Sequence, residues 1–156
     1  MFKLASEKAL LDAFRPRDRR VVEAPRDTSY PFIVRDYFAW TQRTGGYVYV
    51  VICTPNGAPT GMAFDRSGTG DPSIAHLCDW CHSYGTGDQI GLLTTDLNSK
   101  KRIGVYACLD LSCAKKLEDE ANRRGVSPLE PIQRVVEKMA KFASEGLKID
   151  LSGAGR

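Results

Sequence analysis

The chain has no long apolar run. Its opening stretch, MFKLASEKALLDAFR, lacks the basic start, apolar block and small-residue cleavage site of a secretion signal, and it is not hydrophobic enough to span a bilayer. A cytoplasmic protein in a reducing compartment is therefore expected, with no membrane among its partners. A strong excess of one charge is also missing. Lys and Arg number 22 against 19 Asp and Glu, and a net charge of +3 does not mark a nucleic-acid binder unless it is concentrated in a patch. No GxGxxG, P-loop, GxSxG or HExxH pattern occurs, and Asp79 and Asp88, the carboxylates nearest the cysteines, have no evident base partner. Neither an enzyme nor a small-molecule substrate is expected. The 5 cysteines are an odd number, which cannot all pair, and a reducing compartment leaves them as thiols or metal ligands.

What is present suits a single folded unit. A chain of 156 residues with 42% hydrophobic residues can build one full core or two small lobes. Ser6 can cap a short helix whose Leu10, Leu11 and Phe14 share a face, with Pro16 just beyond it. RPRDRRVVEAPRDTSYP reads as a surface connection, and IVRDYFAW suits a helical turn or a strand equally. YVYVVICT and TGMAFD form a hairpin around the turn residues PNGAP, and DRSGTGDPS is a loop. QIGLLTT and RIGVYAC form a second hairpin through DLNSKK. After Cys108 the pattern turns helical, with Asp119 and Glu120 spaced to meet Arg123 and Arg124, and Gly125 as the stop. In the last helix, Ser127, Pro128 and Glu130 predict a capping box with proline at the first helical position, and Ile132, Val135, Val136, Met139 and Phe142 line one side. The expected fold is α+β, two β-hairpins with flanking helices. Residues 1–156 form one domain, with an N-terminal lobe of helix and hairpin over about 1–66, a metal-binding lobe over about 74–145 and a flexible tail at 150–156.

Four of the cysteines fall into two pairs. Cys78 and Cys81 are spaced C-x2-C, 26 residues intervene, and Cys108 and Cys113 follow as C-x4-C, so the pairs bracket the second hairpin. A C-x2-C turn points two sulfurs and several backbone N–H groups at one spot, which is half of a tetrahedral zinc site. The second half returns through Cys108 at the end of a strand and Cys113 in the first turn of a helix, where the helix dipole favours a thiolate. Strand, knuckle, hairpin and helix together describe a treble clef over the C-terminal half. A redox C-x2-C would open a helix in a βαβ unit, whereas here Gly85, Gly87 and a strand follow. An iron–sulfur cluster or rubredoxin-type iron remains open to four thiolates. Catalytic zinc keeps one position free and four cysteines leave none, so the ion expected is structural Zn2+. His76 and His82 flank the first pair, and Cys53 reads as a buried strand thiol. Four thiolates and a dication lower the formal +3 to about +1.

The run from His76 to Lys116, with its CDWC knuckle and GVYACLDLSC opening a helix, resembles the treble-clef zinc domain of the elongation-factor-G-binding proteins. The preceding Tyr/Trp-containing stretch and the hairpin ending in GMAFDRS resemble the first half of that domain, extending the likeness over residues 5–145. The similarity is to short bacterial members of the family. It implies Cys78, Cys81, Cys108 and Cys113 as zinc ligands. It also implies binding without catalysis to elongation factor G on or near the ribosome, promoting release of a factor trapped by fusidic acid or a stall. Members that confer fusidic acid resistance carry a separate N-terminal helical bundle where this chain has one short helix.

The residues themselves offer candidate contacts. Trp80 projects from a two-residue knuckle as a possible interface anchor, with Tyr84 close behind it. Lys100, Lys101 and Arg102 cluster at the hairpin tip, and Lys115 and Lys116 follow Cys113; both clusters are expected near the metal. The alternative to a protein partner is an RNA- or DNA-binding zinc module, with these cations on phosphates and Trp80 or Tyr84 stacked on a base.

Overall fold

The computed structural model describes residues 1–54, 57–68 and 71–151. Pro55 and Asn56 of the expected PNGAP turn, Thr69 and Gly70 of the expected loop, and tail residues 152–156 lie outside them. The elements in chain order are β1 (Phe2–Leu4), α1 (Glu7–Asp12), β2 (Phe32–Val34), β3 (Phe38–Thr41), β4 (Tyr47–Ile52), β5 (Thr60–Asp65), β6 (His76–Leu77), β7 (Tyr84–Gly85), β8 (Ile90–Asp96), β9 (Arg102–Cys108), α2 (Cys113–Arg124) and α3 (Leu129–Lys141), with a π-helical turn at Phe142–Gly146.

One five-stranded antiparallel sheet, ordered β3-β4-β5-β8-β9, runs through both halves of the chain. Each sequence-predicted hairpin is present: β4 pairs with β5 from Tyr47↔Asp65 to Ile52↔Thr60, and β8 with β9 from Ile90↔Cys108 to Asp96↔Arg102. The two hairpins meet at Asp65↔Thr94. IVRDYFAW resolves into β2 and β3 separated by a bend at Arg35 and Asp36.

The unbroken apolar run of β4 has a physical cause, since both faces of the strand are covered. Tyr49 and Val51 face a first layer with Leu4, Leu10, Phe14 and Val34. Val48, Val50 and Ile52 face a second layer with Met62, Phe64, Trp80, Val135 and Met139. The first layer is fixed by α1, whose N-cap Ser6 accepts a hydrogen bond from Ala9 N at 3.0 Å, so that Leu10 and Phe14 come down onto the sheet. Phe14 lies so close to β5 that a Cβ on Gly61 would sit 2.6 Å from its ring, and only glycine fits there.

The second layer is closed by α2 and α3. α2 ends at Gly125 in the left-handed region, φ +67, as the sequence predicts. α3 buries Ile132, Val135 and Met139. Its predicted capping box is not formed, and Pro128 is the N-cap instead of the first helical residue. Ser127 Oγ accepts from Leu129 N at 3.2 Å, but the Glu130 carboxylate turns along the helix to Arg134 at 2.8 Å.

Trp80 corrects an expectation. It is 4% exposed, and its ring packs edge-on to Phe64 and Phe142 with centroids 6.0 and 6.1 Å away. A large aromatic on a short knuckle gains more from the apolar layer beneath it than from water, so Trp80 pins the knuckle to the core and is no interface anchor. Among the described residues, no helix is long and apolar enough to cross a membrane.

Candidate metal centre

Two tight turns deliver the cysteines. In the first, Cys78 leaves β6 and the chain reverses, with His82 N donating to Cys78 O at 2.9 Å and His82 in the left-handed region at φ +61. Cys81 N points back at Cys78 Sγ, 3.4 Å away. The second turn repeats the device: Cys108 ends β9, Leu111 N donates to Cys108 O at 2.9 Å, Leu111 has φ +55, and Cys113 opens α2.

The four sulfurs all lie within 4.8 Å of one another, with Cys78–Cys113 and Cys81–Cys108 each at 3.7 Å. Zn–S bonds of about 2.3 Å in a regular tetrahedron require sulfur–sulfur edges of about 3.8 Å, so the cluster matches zinc in size as well as in donor type. Cys78, Cys108 and Cys113 are buried and Cys81 is half-buried. Charge cannot be shared evenly here without a cation. Contacts from Cys108 and then Cys113 hold the Cys78 thiol down to about 6 and pull Cys81 lower still. Contacts from Cys108, Cys78 and Cys81, reinforced by burial, push Cys113 up. A divalent cation lets all four ionise together, which is the chemistry that the fit requires. The four cysteines are positioned to hold one structural Zn2+, with no ligand position left open.

Two further groups face the sulfurs. Lys116 Nζ lies 3.1 Å from Cys108 Sγ and Ser83 Oγ 3.1 Å from Cys81 Sγ. Burial is the largest single influence on the Lys116 pKa and lowers it, but the hydrogen bond to Cys108 and the charges of Cys108, Cys81 and Cys113 together outweigh this and raise it. A zinc tetrathiolate carries a charge of about −2, and the Lys116 ammonium offsets part of it. Lys116 is expected on a partner surface; half-buried against Cys108, it also supports the metal centre. Its neighbour Lys115 is exposed and pairs with Asp119 at 3.3 Å.

The support that sequence reasoning missed is Tyr37. Its hydroxyl donates to Leu111 O at 2.6 Å and accepts from Ala114 N at 2.9 Å, doing at the start of α2 what the local residue Ser112 does not do. Burial, followed by the neighbouring Cys113, pushes its pKa up. Tyr37→Phe leaves a donor and an acceptor unsatisfied and is expected to cost about 1–3 kcal/mol. The checks are denaturant unfolding and a faster loss of zinc to chelator; unchanged values for both would contradict the bridge.

Other expected positions are settled by geometry. His76 stacks on Tyr106 at 4.8 Å, and His82 Nε2 is 2.7 Å from Lys138 Nζ; neither joins the sulfur cluster. Cys53 lies just past β4 and is half-buried, its thiol donating to Thr54 O at 3.4 Å and Gly57 O at 3.3 Å. It is therefore not the buried strand thiol expected. The hairpin tip is remote from the metal. Cys108 pairs with Ile90 at one end of the β8–β9 ladder and Arg102 with Asp96 at the other, and at ~3.4 Å per residue this separates Lys100, Lys101 and Arg102 from the cysteines by about 20 Å. Arg102 is also engaged by Asp96 at 3.2 Å and Asp65 at 3.5 Å. Tyr84 is open to solvent, at 76% exposure.

A family model described as the FBP C-terminal treble-clef zinc-finger matches residues 7–145, most of the chain. No curated protein matches the chain.

Proposed function

The chain belongs to the FBP C-terminal treble-clef zinc-finger family, and from that premise we propose that it binds elongation factor G on or near the ribosome in the cytoplasm and promotes release of a trapped factor. The family is one of zinc-finger binding domains. The observation that carries a binding role is the closed set of four sulfurs, which leaves the metal no position for substrate or water. The ion then serves to hold a surface in shape, and the whole chain works as one unit.

The surface we assign to the factor is the outer side of the knuckle. Tyr84 stands out from it, and the shallow depression beside it is lined by Ser83, Asp88, Asp110, Ser112 and Lys116. Lys115 lies in the first turn of α2. An exposed tyrosine beside a mixed-charge hollow suits a protein partner, since aromatic anchors carry much of the energy of such interfaces. Fusidic acid resistance follows only if that contact clears the drug-trapped factor.

The test is retention of purified, RNA-free elongation factor G on metal-replete protein. Retention is expected, and Tyr84→Ala should weaken it by about tenfold or more, the loss of roughly 1.4 kcal/mol or above. A factor that is not retained, or one retained equally by the variant, overturns this assignment.

A further inference from the structure

The sequence gives no sign that its two most basic segments meet, but the fold joins them. Arg15 Nη2 donates to Asp96 O at 2.5 Å and Arg15 Nη1 to Leu97 O at 3.3 Å, across 81 and 82 residues of chain. The same guanidinium holds the Asp18 carboxylate at 2.8 and 3.1 Å, in a pair only 16% and 8% exposed. This brace clamps the turn after α1 onto the β8–β9 tip. Arg17, Arg19 and Arg20 are thereby carried to the same end of the molecule as Lys100 and Lys101, about 20 Å from the cysteines at ~3.4 Å per strand residue.

None of these five cations enters an ion pair among the described residues. Carbonyl groups hold some of them without neutralising them: Arg19 donates to Leu11 O at 3.3 Å and Asp12 O at 3.1 Å, and Arg20 to Arg17 O at 3.4 Å. Five unpaired cations exceed the +3 of the entire chain, so the remainder is negative in sum.

We propose that this end binds the phosphate backbone of folded RNA, as a second surface separate from the face beside the metal and independent of it. Guanidinium groups fixed by backbone carbonyls present their remaining N–H donors in a set geometry, and such forks match phosphate oxygens. Little ordering is required on binding, because the two segments are already locked together. A membrane is a poorer match. The exposed large hydrophobics are Met1, Ile33, Ile74, Tyr84, Tyr106, Val126 and Leu129, none of them in the turn or the tip, whereas a surface that lies on lipid inserts apolar side chains beside its cations.

The probe is a labelled RNA hairpin of about 20 nucleotides, titrated with the metal-replete full chain at rising salt. A log–log slope of affinity against salt of about −3 to −5 is expected, from neutralising roughly four or five phosphates. Replacing both tip residues, Lys100→Glu and Lys101→Glu, should weaken binding by tenfold or more and reduce the slope by about 2. Their side chains are exposed, and circular dichroism should be unchanged. Arg20→Gln, on the other segment, should weaken binding about threefold, and Tyr84→Ala should leave it intact. RNA binding that ignores these substitutions, a slope near zero, or preferential capture by phosphatidylserine vesicles overturns the proposal. Failure of the elongation factor G assay leaves these readouts standing, so the two assignments fail separately.

Discussion

Cys113→Ser is expected to abolish stoichiometric metal binding and to unfold the region from β6 to α2. The Cys113 sulfur is fully buried, 3.7 Å from Cys78, at the first residue of α2. Removing it breaks the tetrahedron and leaves three thiols with no way to share their charge. The scale of the loss follows from structural zinc sites, whose apparent binding free energy of about 10–16 kcal/mol is also folding free energy. Whole domains are stable by about 5–15 kcal/mol, so the loss is comparable to the entire margin. Hydrogen exchange should show protection gone in β6, β7 and α2. The Cys53→Ser control, which removes a thiol bonded among the described residues to the Thr54 and Gly57 carbonyls, should retain the metal and lie within about 1 kcal/mol of the parent chain. A Cys113→Ser protein that still binds one equivalent of zinc and keeps its melting temperature would contradict the architecture.

The next largest effect is expected at Trp80. Trp80→Ala removes a buried ring that contacts Phe64 of β5 and Phe142 after α3, and cavities of this size cost about 3–5 kcal/mol. Tyr84, four residues on and open to solvent, should cost no more than about 0.5 kcal/mol when truncated to alanine. Urea unfolding of the two variants side by side measures the contrast. If Trp80→Ala proved as stable as Tyr84→Ala, the knuckle would not be anchored as described. Because Trp80 lies between two of the zinc ligands in sequence, its truncation should also loosen the cysteines, seen as faster zinc transfer to a chelator.

The parts of this protein that could be read from its residues are those set by local chemistry. YVYVVI and TGMAFD carry strand residues around a turn, Gly125 stops a helix by adopting φ +67, and the cysteine spacings predict two turns converging across a hairpin. Each of these needs only a few neighbours along the chain. What was not legible depends on residues far apart. Trp80 looks free on a two-residue knuckle, and only the sheet and α3 beneath it decide that it is buried. The hairpin tip appears near the metal until the register puts Cys108 and Arg102 at opposite ends of β9. Tyr37 reaches Leu111 and Ala114 across more than 70 residues, and nothing in its own segment signals that role. Lys116 shows the same limit, because its helix position suggests a solvated cation and its distance to Cys108 makes it a partner of the sulfur cluster.

X-ray absorption at the zinc edge, on protein purified under reducing conditions and shown to hold one metal per chain, examines the four-sulfur centre without intermediaries. The predicted first shell is four sulfurs at about 2.3 Å with no nitrogen or oxygen. A shell containing nitrogen or oxygen, or a folded chain that carries no metal at all, would contradict it.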